Sequence, residues 1–230
     1  IGALGGFPYI LHCHGTDLRG ETAVTRPLIR RALAEARHVF YSTPDLEAYV
    51  ARVRDDGEFL PNPIDTVQFR PIVPAGERPG VFICCGLTEV KGAGRLLAAC
   101  RQLADERPDI RITAIGGGEY TAAFQALPNV TVVAHQPRWK LPGLINQHGI
   151  IVGQVRLGSA GMAELEAMAC GRPVITWFNE LHAYSEVPPY VTAVDGVEVA
   201  AAIKNLAGQP EMRDLLGAKG RDWVARHHSL

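Results

Sequence analysis

One glutamate in a predicted helix is well suited to hold a polar ligand. The helix expected around it has Met162 and Leu165 on one apolar face. At about 100° per residue, Glu166 projects only some 40° from Met162, whereas Glu164 points nearly the opposite way. We therefore expect Glu166 to be partly buried and Glu164 to be exposed. A buried carboxylate is costly unless it is paired, so the partner of Glu166 is either the vicinal hydroxyls of a ribose or a structural salt bridge, for which Arg172 is a candidate.

Two further segments carry the residue types that bind phosphate. Lys91 is followed by Gly92 at the start of a predicted helix, where an ammonium next to a helix N-terminus suits a diphosphate. Gly158 and Gly161 follow a predicted strand and precede the helix of Glu166, so that backbone N–H groups could approach an anion. The alternatives are a solvated surface lysine and an ordinary tight turn.

A run of three glycines, Gly116 to Gly118, follows another predicted strand and could admit a nucleotide. The spacing is not GxGxxG, and no acidic residue follows at the distance that a dinucleotide site requires. A dinucleotide-dependent oxidoreductase is therefore disfavoured.

Two histidines mark the end of the first predicted strand. His12 and His14 face the same way, and Gly15 and Asp17 follow them. A zinc site would need further ligands, and none is near in sequence, so we expect no metal. An active-site role for His14, held by the neighbouring turn, is the alternative.

The elements that must position these residues alternate between strand and helix. Near-continuous apolar strands separated by helices predict a parallel sheet covered on both faces, a Rossmann-like α/β fold. Proline and glycine are densest between residues 71 and 80, which predicts a linker there. We expect a partial N-terminal domain at residues 1–72 and a complete α/β domain at residues 73–230. Strands are predicted at 9–14, 39–42, near 59, 81–84, 110–115, 130–133, 150–152 and 174–176, and helices at 26–37, 43–52, 92–104, 119–127, 141–148, 160–170, 197–207 and 212–225.

Composition excludes several functional classes. The 230 residues include 23 basic and 24 acidic side chains in no long run of either sign, which disfavours nucleic-acid binding. Apolar stretches are too short to predict a membrane span. Five cysteines without CxxC spacing predict reduced thiols and a cytoplasmic location. The chain begins with Ile1 and shows no signal-peptide pattern, so we expect a fragment whose start is missing.

In this order, the motifs resemble those of family 4 retaining glycosyltransferases of the GT-B fold, and the resemblance covers nearly the whole chain. The most specific block is the last one, which runs from Leu165 to Ile175. The resembling segments are His14–Asp17, Leu60–Asp65 with Phe69, Thr88–Gly92, Ile115–Gly118 and Leu165–Ile175.

The resemblance implies transfer of a sugar from a nucleotide-diphosphate donor to a carbohydrate or lipid-linked acceptor, with retention of configuration and without a metal or cofactor. It implies that Lys91 contacts the diphosphate, that Glu166 binds the ribose and that His14 lies near the donor sugar. His14 and Lys91 are the predicted catalytic residues. The predicted substrate-binding residues are Gly15, Asp17, Gly116, Gly117, Ala160, Gly161, Met162 and Glu166.

Two positions depart from the pattern of the family. Gly86 stands where the family usually has an arginine, and Gly158 stands where it usually has a glutamate. Gln154 and Arg156 lie close in sequence and are candidates to compensate. The departures keep open a non-catalytic nucleotide-sugar-binding module, and a GT-B epimerase or phosphorylase is a third alternative.

The resemblance also bears on the rest of the chain. It implies that about the first half of the N-terminal domain of the family is missing here, and we expect the fragment itself to be inactive. Peripheral attachment to the inner membrane face is left open.

Overall fold

The computed structural model describes residues 7–19 and 26–229, which form two compact units that divide between Asn62 and Pro63. The N-terminal unit contains a parallel three-stranded sheet in the order β1-β2-β3. Apolar side chains, including Leu33 and Val39, form its core. The strands are β1 (Ile10–Cys13), β2 (His38–Tyr41) and β3 (Glu58–Phe59), and the helices are α1 (Gly15–Leu18), α2 (Pro27–Glu35) and α3 (Glu47–Val50).

The helix predicted from Thr43 to about Arg52 is shorter and begins differently. A 3-10 turn at Pro44–Leu46 precedes α3, and the Thr43 side chain caps neither of them. The Thr43 hydroxyl accepts a hydrogen bond from Arg19 at 3.0 Å instead. A tertiary contact has therefore replaced the local cap expected from the sequence.

The C-terminal unit contains a parallel six-stranded sheet in the order β6-β5-β4-β7-β8-β9, which confirms the α/β fold class. The two-residue strand β9 was not predicted. The strands are β4 (Val81–Ile83), β5 (Ile112–Ile115), β6 (Val130–Val133), β7 (Ile150–Val152), β8 (Val174–Thr176) and β9 (Val191–Thr192); the helices are α4 (Ala93–Glu106), α5 (Thr121–Gln125), α6 (Leu141–Asn146), α7 (Met162–Ala169), α8 (Gly196–Ala207) and α9 (Pro210–His227).

Alternate residues of the central strands enter two separate cores. Val81 and Ile83 pack with α4 and α8 on one face, whereas Phe82 packs with α7 and α9 on the other. Burial on both faces explains why these strands are apolar throughout. The chain runs outward from β4 to β6 and then returns to β7 beside β4, so a crevice is expected at the carboxyl ends of β4 and β7.

The division between the units falls ten residues before the predicted one at 72/73. Ile64 and Phe69 are fully buried in the core of the C-terminal unit. The Ile64 backbone N–H also donates to the His228 carbonyl at 2.7 Å. Proline and glycine density therefore marked a bend within the C-terminal unit rather than the division between the units.

Candidate functional site

A cavity of about 480 Å³ opens at the carboxyl ends of the central strands of the C-terminal unit. Each of the strands β4, β5 and β6 contributes the residues that follow it, as expected for an open parallel sheet. Glu166 of α7 reaches the cavity from one side. The lining comprises Cys84, Cys85, Gly86, Ile115, Gly116, Gly117, His135, Gln136, Arg138, Leu141 and Glu166. A neighbouring depression of about 450 Å³ contains none of the predicted site residues.

Glu166 is buried, as predicted, and its partner is Arg138. Arg138 Nη2 lies 2.8 Å from Glu166 Oε1, and the two side chains are 54% and 5% exposed. The guanidinium also lies over the Phe69 ring, 5.6 Å from its centroid. Arg172, the candidate partner from the sequence, is occupied elsewhere: its Nη2 donates to Val73 O and to Asn146 Oδ1.

Burial has the largest effect on the pKa of Glu166. Removal from water raises the pKa of Glu166 to about 7, the Arg138 guanidinium acts against the rise, and the Glu164 carboxyl adds to it. Glu166 Oε1 faces Arg138 in the ion pair, and the carboxylate also lines the cavity. A hydroxyl-bearing ligand in the cavity can therefore donate hydrogen bonds to this carboxylate.

The prediction that Glu164 is exposed is wrong. Its side chain is 3% exposed, and its oxygens accept hydrogen bonds from the backbone N–H groups of Gln154 at 2.9 Å and Gly161 at 3.1 Å. A Cβ at Gly153 would lie 2.5 Å from Glu164 Cγ, so that glycine makes room for the carboxylate. The helical-face argument failed because α7 is buried on nearly every side.

Lys91 lies in the 3-10 turn that follows β4, directly before Gly92, whose φ is +83°. Its carbonyl accepts from Val155 N at 3.1 Å, which ties this turn to the one after β7. Its charge acts on Cys85 in the cavity wall: burial raises the pKa of that thiol to about 12, and Lys91 partly opposes the rise. Glu166 in turn raises the pKa of the adjacent Cys84 thiol, which burial raises most. Glu166 lines the cavity, whereas Lys91 is not among its lining residues.

The glycine run after β5 combines an open position with a crowded one. Gly117 has φ +135° and would have no atom within 4 Å of an added Cβ. Gly118 has φ +118°, and its Cβ would lie 2.3 Å from Leu87 O. Gly116 and Gly117 line the cavity, whereas Gly118 is required by close packing.

The loop between β7 and α7 is held by Gln154, which is fully buried. Its amide nitrogen donates to Ser159 O and Trp177 O, and its oxygen accepts from the Arg156 and Leu157 N–H groups. The Gln154 side chain therefore uses its amide to hold the loop, and it does not compensate for a missing ligand contact. Arg156 pairs with the carboxylate of Glu89.

The conformation of this loop depends on Gly158. Its φ is +73°, and a Cβ there would lie 2.4 Å from Asn179 Oδ1. Of the predicted loop residues, Ala160 is buried, Met162 is half-buried and the Gly161 N–H is already bonded to Glu164. The contact of these three residues with a ligand stays a prediction.

His14 and its neighbours lie in the N-terminal unit, at the start of α1. His14 is exposed, and its ring centroid is 4.6 Å from that of His12. Asp17 Oδ2 accepts from His14 N at 2.9 Å, so this carboxylate caps α1. Gly15 allows Arg19 to fold across the turn, because an added Cβ would meet its guanidinium. The ligand-binding roles of His14, Gly15 and Asp17 stay predictions.

Sequence reasoning missed Arg138 and assigned the wrong environment to Glu164. Arg138 lies five residues after the end of β6, and a cation in the loop after a parallel strand was an available signal. Among residues 7–19 and 26–229, no three His, Cys, Asp or Glu side chains gather as a metal site would require, and the absence of a metal stays a prediction. No helix in the same ranges has the length and apolar character needed to cross a bilayer.

A curated protein is similar in sequence to most of this chain. The chain is 24% identical over 194 residues to the GDP-mannose-dependent monoacylated alpha-(1-6)-phosphatidylinositol monomannoside mannosyltransferase of Corynebacterium glutamicum, a match to 73% of this chain and 51% of the relative. This chain thus spans about half the length of that relative.

Solved structures show the same fold at low identity. Anabaena HepE in complex with UDP and glucose has a TM-score of 0.76 at 15% identity, over 99% of this chain and 69% of that one. Sucrose-phosphate synthase from Thermosynechococcus elongatus has a TM-score of 0.75 at 22% identity, over 97% and 64%. The fold is that of GT-B glycosyltransferases. Residues 78–208, more than half of the chain, match the family described as Glycosyl transferases group 1, and the protein belongs to that family.

Proposed function

We propose that the intact protein transfers a sugar from a nucleotide-diphosphate sugar to a hydroxyl-bearing acceptor with retention of configuration, as the resemblance to family 4 implies. The observation that carries the proposal is the cavity beyond β4, β5 and β6, which is lined by a buried carboxylate that an arginine pairs with. A nucleoside ribose offers two adjacent hydroxyls that can donate to such a group.

Each of the predicted site residues has a proposed role in holding a donor. Glu166 accepts the ribose hydroxyls, while Gly116 and Gly117 let the nucleotide approach the backbone. Lys91 offsets the negative charge that develops on the leaving diphosphate. His14 is proposed to act near the donor sugar, as the resemblance implies.

Gly86, which replaces the usual arginine, leaves space rather than a clash. An added Cβ would have Gly117 O as its nearest neighbour, at 3.8 Å. Arg156 Nη1 donates to the carbonyl of Glu89 at 3.1 Å and so brings a second cation to the turn that carries Lys91. We propose that this cation takes over part of the missing contact with the diphosphate.

A donor panel tests the proposal. The curated relative is named for GDP-mannose and the HepE complex holds UDP, so the panel should include both UDP- and GDP-sugars as well as ADP-sugars. We expect one class to raise the melting temperature of the full-length protein and to be hydrolysed or transferred. Glu166→Gln should weaken binding of that donor about tenfold, the loss of a charge-assisted hydrogen bond. If no donor in the panel stabilised the full-length protein or was hydrolysed or transferred by it, the proposal would be contradicted.

A non-catalytic nucleotide-sugar-binding module is the second candidate. It is favoured by Gly158, whose positive φ and close approach to Asn179 adapt the loop to glycine where relatives usually carry a glutamate. This candidate predicts that a donor binds without any turnover. Product analysis separates the two, and an isomerised or phosphorolysed sugar would instead indicate an epimerase or a phosphorylase.

A further inference from the structure

The ion pair between Arg138 and Glu166 joins an exposed cation to a buried anion. Glu166 is 5% exposed and Arg138 is 54% exposed. A surface cation usually gains little from such a pair, so the main effect falls on the desolvated carboxylate. Arg138 is also held in place, because its guanidinium lies over the buried Phe69 ring.

Arg138 is the cation that offsets the burial of Glu166. From within α7, Glu164 acts on Glu166 with like charge, and the buried thiols of Cys84 and Cys170 are both affected by the Glu166 charge. His135 lines the same cavity. Burial and the second carboxylate disfavour an ionised Glu166, and Arg138 opposes them.

We propose that Arg138 is a positioning residue for donor binding, which keeps Glu166 ionised and in place so that the carboxylate can accept the vicinal hydroxyls of the ribose. An ionised carboxylate offers only acceptors, whereas the protonated acid presents an O–H that competes with the hydroxyl donors. The inference rests on the proposed function, because it concerns the same donor site.

The test is the pH dependence of donor binding. The dissociation constants of UDP-glucose and GDP-mannose are measured with the full-length protein from about pH 5.5 to 8.5, for the wild type and for Arg138→Gln. Removing the cation should move the binding midpoint upward by about one pH unit, since one unit corresponds to a tenfold change in ionisation. Binding by the variant should therefore be about five- to tenfold weaker near pH 7 and approach that of the wild type near pH 8.5.

Two matched variants complete the experiment. Arg138→Lys keeps the charge and should restore the midpoint of the wild type. Lys140→Gln removes a charge from the same 3-10 turn, but that ammonium lies over the Trp139 ring, 5.1 Å from its centroid, so the midpoint should not move. Melting temperatures confirm that all three variants fold.

Each outcome has one meaning. A uniform loss of affinity for Arg138→Gln at every pH, or a gain of affinity, would overturn the inference, because the first indicates a direct contact and the second a competing ion pair. The inference would also be overturned if Lys140→Gln shifted the midpoint of donor binding as far as Arg138→Gln does. If the wild type binds neither donor at any pH, the proposed function fails instead, and the two failures are distinguishable.

Discussion

Two glutamates that lie two residues apart in the same short helix perform different tasks. Glu164 accepts two backbone hydrogen bonds and is enclosed by protein, whereas Glu166 pairs with Arg138 and lines the cavity. We infer that Glu164 serves the loop and that Glu166 serves the ligand. Stability measurements on variants of the two residues separate these roles.

Glu164→Ala should lower the free energy of unfolding by about 2 kcal/mol, because it leaves the N–H groups of Gln154 and Gly161 buried without their acceptor. The measurement is urea unfolding at neutral pH. A variant as stable as the wild type would show that the loop does not depend on this carboxylate.

Glu166→Gln is the matched control. It is expected to raise the free energy of unfolding, whereas Glu164→Ala is expected to lower it. The pKa of Glu166 is raised from 4.5 to about 7 in the folded protein. The wild type therefore loses stability relative to the glutamine variant as the pH rises from about 4.5 through 7. The two proteins should be equally stable near pH 4.5, and the variant should be more stable by on the order of 3 kcal/mol near pH 8.5. Equal stabilities at both pH values would contradict the raised pKa.

At the scale of elements, the turns after the strands decide the shape of the cavity. Both Gly117 and Gly118 have positive φ, but only Gly118 meets backbone, at Leu87 O. Gly117 is therefore constrained by conformation alone, and Gly118 by conformation and packing together.

Gly117→Ala should cost about 1 kcal/mol of unfolding free energy, the strain of a side chain at positive φ. Gly118→Ala should cost at least twice as much, because the backbone must also move away from Leu87. Urea unfolding of the two variants is the measurement. Equal costs would show that the contact with Leu87 relaxes freely.

At the scale of the whole molecule, the segment from Pro63 to Pro71 belongs with the C-terminal unit. Ile64 and Phe69 are fully buried in one of its two cores, and the Ile64 backbone pairs with the last described residues. This segment therefore contributes to stability and does not serve only as a connection.

A chain of residues 63–230 should fold cooperatively, whereas a chain of residues 73–230 should melt roughly 10 °C lower or fail to fold. Loss of a buried phenylalanine and isoleucine costs several kcal/mol, and each kcal/mol moves the melting temperature of a domain of this size by about 2 to 4 °C. Differential scanning calorimetry of the two chains is the measurement. Equal melting temperatures would support a boundary at residue 72.

The sequence by itself determined what depends on local pattern. Apolar strands buried on both faces predicted the parallel α/β fold, and the helical turn from Met162 to Glu166 predicted the burial of Glu166. Strand ends also identified the turns that line the cavity, because parallel strands bring their carboxyl ends to one edge.

Only the tertiary structure decided what depends on distant partners. Arg138 is 28 residues before Glu166, the Gln154 N–H that Glu164 binds is ten residues before it, and Ile64 pairs with residues at the opposite end of the chain. Periodicity describes one element at a time, whereas a buried charge is stabilised by whatever group the packing of several elements brings within reach. The identity of the partner of Glu166, the burial of Glu164 and the position of the division between the units all follow from that packing.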